Sequence, residues 1–564
     1  MTSLTSRPES TRRASRVLVD QLVLQGVDRV FCVPGESFLG VLDALYDTPQ
    51  IELVTCRHEG GASMMAEAYG KLTGRPGIVF CSRGPGATNA SCGLHVAFQD
   101  STPMIMFIGQ NPRGIAEREG FQEVDYRRMF GTQAKAVLQL DDGARTSEYL
   151  TRAFQLAISG RPGPVVIPIP EDMLRDEVSC ADGKVAKPPR TDPAPVCVEE
   201  VRQALEVAKR PIIMLGGLDW NDKNVSAFRE FAESSNIPVC ATFRRQDLLD
   251  NNSEVYIGEF GLGPNPALVQ TVKDADLLLV IGARLGEIGT NSYTIMDIPC
   301  PQQKLIHVYP DPNELGHVFQ PELGIVSRPG EFAEALAKGG PVKGDWAEDR
   351  KVQRKEARAS FESWTAPRTS VGNIQMCEIM KWLDDNVPQD TIYTNGAGNF
   401  TVWLHRFHRY RQRGTQLAPI CGSMGYGVPA ALAAKFARPN STVICIAGDG
   451  DFQMSGTELA TAVAHNLKIR IIILNNGMLA TIRMHQEMHY PKRISGSTLS
   501  KGNPDFTAFA KSYGAFAKRV EHTAEFADAF KEADAFDGPA VLEVMIDPEA
   551  ISPNFSLTEL QNRK

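Results

Sequence analysis

Short, mainly apolar runs recur along the whole chain. "RVFCV" (29–33), "GIVFC" (77–81), "PMIMFIG" (103–109) and "PVVIPIP" (164–170) lie in the first third. "PIIMLGG" (211–217), "LLLVIGA" (277–283) and "KLIHVYP" (304–310) lie in the middle, and "TVICIAG" (442–448) and "IRIIILNN" (469–476) near the end. The runs are continuous rather than alternating, as in parallel strands buried on both faces. Stretches with helical spacing separate them, which is the grammar of βαβ units and predicts an α/β fold with parallel sheets.

Two segments interrupt this pattern. Residues 183–196, "GKVAKPPRTDPAPV", are rich in proline and charge, and residues 338–367 form a long charged stretch. Read as linkers, they divide the 564 residues into three units of similar size, 12–183, 197–340 and 368–564. Domains of roughly 100–200 residues agree with that count. Apolar content of 43% and charged content of 22% are those of an ordinary globular protein. The net charge of −8 gives no reason to expect nucleic acid as a partner. No apolar run approaches the ~20 residues that span a membrane. Eleven cysteines without a C-x-x-C pair read as reduced, mostly buried thiols of a cytoplasmic protein. The polar start "MTSLTSRPESTRRASR" lacks the apolar core of a secretory signal.

The most informative stretch is "AGDGDFQM", 447–454. Gly448 and Gly450 admit a ligand close to the backbone. The following "MSGTELATAVAHN" has helical spacing, with Leu459, Ala462 and Val463 on one face. A helix N-terminus there would favour a phosphate. The next strand ends in Asn475-Asn476, so Asp449 and Asn476, 27 residues apart, fall at C-terminal strand ends, where ligands of such sheets bind. A carboxylate, an amide oxygen and a nearby carbonyl are hard ligands that suit Mg²⁺ beside a diphosphate. Taken singly, Gly-Asp-Gly is a common turn and Asn-Asn a common loop. An EF-hand starting at Asp449 fails, because Met454 stands where its turn glycine belongs.

GDG followed by NN at this spacing resembles the signature of the thiamine diphosphate (ThDP) enzymes. The resemblance implies that Asp449, Asn476 and the carbonyl of Met478 hold Mg²⁺, with Gly448, Gly450 and Asp451 against the diphosphate. "CRHEGGASMMAEAYGKLTGRPGIVFCSRGPGATNA" (56–90) resembles the family's pyrimidine-binding domain. It implies that Glu59 hydrogen-bonds or protonates the aminopyrimidine ring, a task suited to a carboxyl in a buried apolar site. In "ICGSMGYGVPAALAAKFARP" (420–439) it implies that the Gly422 carbonyl accepts from the aminopyrimidine. Met424 would be the apolar wedge that bends the cofactor. In "NGAGNFTVW" (395–403) Gly398 and Asn399 match the second diphosphate loop. The likeness runs over nearly the whole chain. "GPGATNA" (84–90), "FQE" (121–123), Lys135, "SGRPGPVVIPIPED" (159–172) and "NPDFTAFAKSYG" (503–514) are similar to the acetolactate synthase large catalytic subunit. The implied architecture is three doubly wound parallel-sheet domains: pyrimidine-binding, central Rossmann-like and diphosphate-binding. A homodimer or homotetramer with active sites between chains is implied as well.

Some positions depart from that branch. Where acetolactate synthases carry A-R-F-D-D-R, this chain reads "ARLGEIGTN" (283–291). Ile288 therefore replaces the arginine that binds the acceptor carboxylate, and it cannot make a charge-assisted hydrogen bond. The same region contacts FAD in that branch, so its loss counts against FAD as a further cofactor. His485 replaces a pocket tryptophan, and in "VPGES" (33–37) Glu36 stands where simple decarboxylases of the superfamily place an acidic proton donor. His95 and Gln122 are further pocket candidates, the first equally a helix residue satisfied locally. Arg244-Arg245 reads either as a phosphate grip or as a solvated pair. The leading expectation is ThDP- and Mg²⁺-dependent decarboxylation of a 2-oxo acid with transfer of the acyl carbanion to a second carbonyl. The alternatives are a non-ligating decarboxylase or lyase using Glu36 and His485, a flavin-dependent oxidase, and a non-catalytic scaffold.

Overall fold

The structure is a computed structural model and describes residues 11–562. They form two compact units. The first takes in residues 11–189 with two short returns of the chain, Leu432–Ala437 and Ser455–His465, and the second takes in the remainder.

The first unit is built on a six-stranded sheet in the spatial order Glu52–Thr55, Arg29–Cys32, Gly77–Cys81, Met104–Gln110, Pro164–Pro170, Ala136–Val137. All neighbours are parallel. Strands Gly77–Cys81 and Met104–Gln110 are buried at every residue, which is why their sequence runs are unbroken by polar residues until Gln110. Helix Glu59–Thr73 is capped by the ring of His58, whose Nδ1 accepts from the Gly60 amide, and it stops at Gly74 in the left-handed region (φ +71°).

The second unit holds two further six-stranded parallel sheets. The central one runs Tyr256–Phe260, Val239–Thr242, Pro211–Leu215, Leu277–Ile281, Lys304–Tyr309, Leu323–Val326. The C-terminal one runs Gln416–Leu417, Ile392–Asn395, Val443–Gly448, Ile469–Asn475, Ala540–Met545, Phe516–Val520. Ile471, Ile472 and Ile473 are fully buried, each contributing about 1.5–3 kcal/mol of apolar burial. The chain is thus α/β with parallel sheets, as its pattern predicts, and its three doubly wound sheets are those the resemblance implies.

Two local expectations are corrected. The charged stretch 338–367 is not simply a linker, because Ala347–Thr365 is a 19-residue helix. Its arginines at four-residue spacing are buried. Arg350 donates to the carbonyls of Leu205, Glu206 and Ala208, and Arg358 to those of Asn251, Ser253 and Tyr256. A guanidinium fork can satisfy several exposed helix-end carbonyls at once. The helix expected over "MSGTELATAVAHN" (454–466) is present but shorter: a 3₁₀ turn, Gly456–Glu458, leads into Leu459–Ala464, and a separate five-residue helix, Asp449–Gln453, precedes the stretch. The break at Met454-Ser455 is where the chain passes from the second unit into the first. No helix among the described residues is long and apolar enough to cross a membrane. Cys32, Cys56, Cys81, Cys240, Cys377 and Cys445 are buried free thiols, whereas Cys92 and Cys300 are exposed.

Candidate active site

In the C-terminal sheet the strand order reverses between Ile392–Asn395 and Val443–Gly448. A crevice opens where such a reversal occurs, beyond the carboxyl ends of the strands. Here it is a cavity of about 570 Å³ lined by Gly398, Asn399, Gly422, Met424, Gly448, Gly450, Asp451 and Met478 among others. Asp449, Asn476 and His485 line it too. The glycines are there because side chains have no room. A Cβ on Gly448 would lie 2.8 Å from the Phe400 ring, and one on Gly450 2.7 Å from Leu479. Gly398 (φ +151°) and Gly422 (φ +71°) hold backbone conformations that side chains disfavour.

Asp449 begins the short helix Asp449–Gln453 and is 2% exposed. Burial raises its carboxyl above the ordinary aspartate range, against the pull of a hydrogen bond from Asn503 Nδ2 to Oδ2 at 2.7 Å. Asn503 also donates to Asn475 Oδ1 (3.3 Å) and accepts from Gln453 Nε2 (2.9 Å). Asn475 Oδ1 accepts from the Gly477 amide at 3.1 Å, and Asn476 Oδ1 from the Met478 amide at 3.3 Å. The loop is covered by residues 497–499, which exchange backbone bonds with Gly477 and Leu479. A buried carboxylate surrounded by neutral amides calls for a cation, and one carboxylate with amide and carbonyl oxygens is a magnesium-type donor set. Among the described residues no cluster of three His, Cys, Asp or Glu side chains is poised to bind a metal.

Three of the expected site residues have specific surroundings. The Asn399 amide is spent within the protein, donating to Ile551 O (3.0 Å) and accepting from Thr481 Oγ1 (2.8 Å). Asp451 Oδ1 accepts from the Ala397 and Gly425 amides at 3.1 and 2.9 Å, and burial pushes its carboxyl up to about 7. His485 is exposed on helix Ala480–His489, its ring parallel to that of His489.

The remaining candidates lie in the first unit, again at a reversal of strand order, between Arg29–Cys32 and Gly77–Cys81. The loop 82–86 links them. Gly86 lies against Glu59 (a Cβ would be 3.1 Å from Oε1), Gly84 lies against Gln122 (2.8 Å to its Cβ), and Gly35, beside Glu36, lies against Ser82. Gln122 itself has φ +61°. A left-handed backbone at a non-glycine residue is held there by its surroundings. Glu59 accepts from Asn89 Nδ2 at 3.0 Å. It is half-buried rather than enclosed in apolar surroundings as expected, because it stands in the first turn of its helix. Glu36 and His95 are exposed.

The junction just before Glu59 is held by a residue that sequence reasoning missed. Glu458 is fully buried and accepts from the amides of Arg57 (3.0 Å) and His58 (3.0 Å) and from Thr461 Oγ1 (2.7 Å). Burial raises its carboxyl. Gly61 provides the room, since a Cβ there would lie 2.4 Å from Glu458 Oε1. The available signal was an acid inside the apolar face of "TELATAV". Asn503 opens "NPDFTAFAKSYG", but nothing local marked it as a partner of Asp449. Arg244 and Arg245, read as a phosphate grip or a solvated pair, are instead buried at 1% and 7% exposure.

Comparison with known proteins bears on this arrangement. Residues 12–129 match the model of the thiamine pyrophosphate enzyme N-terminal TPP binding domain, 198–336 that of the central domain, and 396–544 that of the C-terminal TPP binding domain. The chain is 31% identical over 539 residues to acetolactate synthase isozyme 2 large subunit of Escherichia coli, covering 94% of this chain and 95% of that one. It is 32% identical to the acetolactate synthase large subunit of Corynebacterium glutamicum (95% and 87% covered). Identity to the same subunit of Lactococcus lactis is 30% (93% and 92% covered).

Proposed function

Because the chain belongs to the thiamine pyrophosphate enzyme family, among the relatives of the acetolactate synthase large subunits, we propose that it decarboxylates a 2-oxo acid and transfers the acyl unit to a second carbonyl in a Mg²⁺-dependent reaction. The observation that carries this reading is the reversal-point cavity, where the glycine-floored loops 396–399 and 448–451 meet the buried Asp449. Bound there, thiamine diphosphate supplies a carbon nucleophile and an electron sink for decarboxylation.

Asp449, the Asn476 amide oxygen and the Met478 carbonyl hold Mg²⁺, and Asn503 orients the Asp449 carboxylate toward it. Gly398, Gly448, Gly450 and the backbones of Asn399 and Asp451 would receive the diphosphate. Gly422 and Met424, which line the cavity, would contact the thiazolium–pyrimidine portion. Glu59 holds a proton against the pyrimidine ring, and Glu458 fixes the backbone from which Glu59 projects. A half-buried Glu59 is completed by a second chain, so we assign a homodimer or homotetramer with domains 12–183, 197–340 and 368–564. Gln122 and His485 contact substrate, and a 2-oxo acid without a cationic anchor at position 288 is gripped mainly by apolar contact. FAD fits less well. The segment "ARLGEIGTN" (283–291) lacks the pattern of the region that contacts FAD in the acetolactate synthase branch, so no step is assigned to a flavin.

A second reading is favoured by the exposure of Glu36 and His485: either could supply the proton with which an aldehyde product is released in place of carbon–carbon bond formation. The test is incubation with thiamine diphosphate, Mg²⁺ and pyruvate or larger 2-oxo acids, followed by proton NMR, with Glu59→Gln as control. A carbon–carbon bonded product that the control does not form supports carboligation. An aldehyde that disappears in Glu36→Gln supports the lyase reading. Wild-type protein that neither binds thiamine diphosphate nor turns over any 2-oxo acid refutes both.

A further inference from the structure

Strand Val239–Thr242 of the central sheet ends in Phe243-Arg244-Arg245-Gln246-Asp247. This segment packs on the C-terminal sheet through buried polar bonds. Asp247 Oδ2 accepts from the Gly414 amide (2.7 Å), and Gln246 Nε2 donates to His405 O (2.7 Å). Arg244 reaches furthest. Its backbone is left-handed (φ +60°), and its guanidinium lies over the Phe243 ring. Nη2 donates to Gly396 O at 2.9 Å and Nη1 donates to Pro419 O.

Both acceptors belong to loops that line the cavity. Gly396 lies two residues before Gly398. The Pro419 carbonyl also accepts from the Gly422 amide at 3.0 Å, closing the turn that holds Gly422 at φ +71°. The amide side of the same two loops is held by Asp451, through Ala397 and Gly425. One cation therefore ties the carbonyls of both loops while one carboxylate ties their N–H groups. A planar guanidinium can bridge two carbonyls at fixed separation, whereas an ammonium is a point donor.

We propose that Arg244 is a positioning residue by which the central sheet sets the spacing of the two loops that receive thiamine diphosphate. This rests on the cofactor reading above. It gives the central sheet a part in cofactor binding.

The test is calorimetric titration of the full-length chain with thiamine diphosphate in saturating Mg²⁺, for wild type, Arg244→Met, Arg244→Lys and Gln246→Leu. Gln246→Leu removes bonds in the same packed segment that touch neither loop, so it reports general docking. We expect Arg244→Met to weaken Kd by about tenfold or more, as loss of a charge-assisted bond requires. Arg244→Lys should fall between, because it keeps the charge and loses the bridge. Gln246→Leu should lower the thermal midpoint with Kd unchanged. If Arg244→Met does not fold, Arg244→Lys against wild type decides. A lysine variant matching wild type, or a Gln246→Leu loss equal to that at Arg244, overturns the proposal. A wild type that does not bind thiamine diphosphate overturns the cofactor reading and this inference with it.

Discussion

Glu259 lies in strand Tyr256–Phe260 beneath Arg244, whose amide donates to Glu259 Oε2 at 3.3 Å. Burial pushes its carboxyl up from 4.5 to about 8, against a weaker pull from Arg244. His405 Nδ1 is 3.9 Å from Oε1 but brings no charge, because burial and the neighbouring Arg244 hold the imidazole well below its usual range. The folded state therefore keeps a proton on Glu259 that the unfolded chain gives up in the ordinary glutamate range. Stability falls as pH climbs from about 4.5 toward the folded value. At about 1.4 kcal/mol per tenfold change, the penalty is roughly 2 kcal/mol at about pH 6 and levels off at 4–5 kcal/mol above about pH 8. Glu259→Gln keeps the acceptor for the Arg244 amide and has nothing to ionise. Its gain in apparent unfolding midpoint over wild type should widen between about pH 6 and 9, by roughly 2–3 kcal/mol or several degrees. Differential scanning calorimetry of both proteins across that range is the assay. Parallel midpoint curves would refute the assignment of a neutral, buried Glu259.

Three further predictions follow from the site. A metal takes Asp449 only as the carboxylate, and burial holds its proton to higher pH than usual. Mg²⁺ affinity, measured by calorimetry with thiamine diphosphate present, should therefore decline on acidification from above the ordinary aspartate range, and Asp449→Asn should abolish it. Asn503→Ala removes the donor to Asp449 Oδ2 and should weaken Mg²⁺ binding by about tenfold or more in the same titration; unchanged binding would show that Asn503 does not orient the ligand. Gly61→Ala drives a methyl to 2.4 Å from Glu458 Oε1. A loss of about 1–3 kcal/mol in urea unfolding is expected, with turnover falling because Glu59 lies two residues away, and a fully active variant would remove Glu458 as the anchor.

Much of this protein is legible in its sequence. Continuous apolar runs such as "IRIIILNN" mark parallel strands because burial on both faces acts on neighbouring residues. Gly448-Asp449-Gly450 and Asn475-Asn476 mark ligand loops because close backbone approach and hard oxygen donors are local requirements. What tertiary structure alone decided are partnerships between residues far apart in the chain. The charged stretch 347–365 is a helix because Arg350 and Arg358 find carbonyls 102–145 residues away. Glu458 is an anchor only because the amides of Arg57 and His58, 400 or more positions earlier, meet it. Arg244 spans two loops that are 152 and 175 residues downstream. Hydrophobic period encodes which face of an element is buried, but a polar side chain's worth depends on the donor or acceptor that folding brings to it, and no local pattern carries that identity.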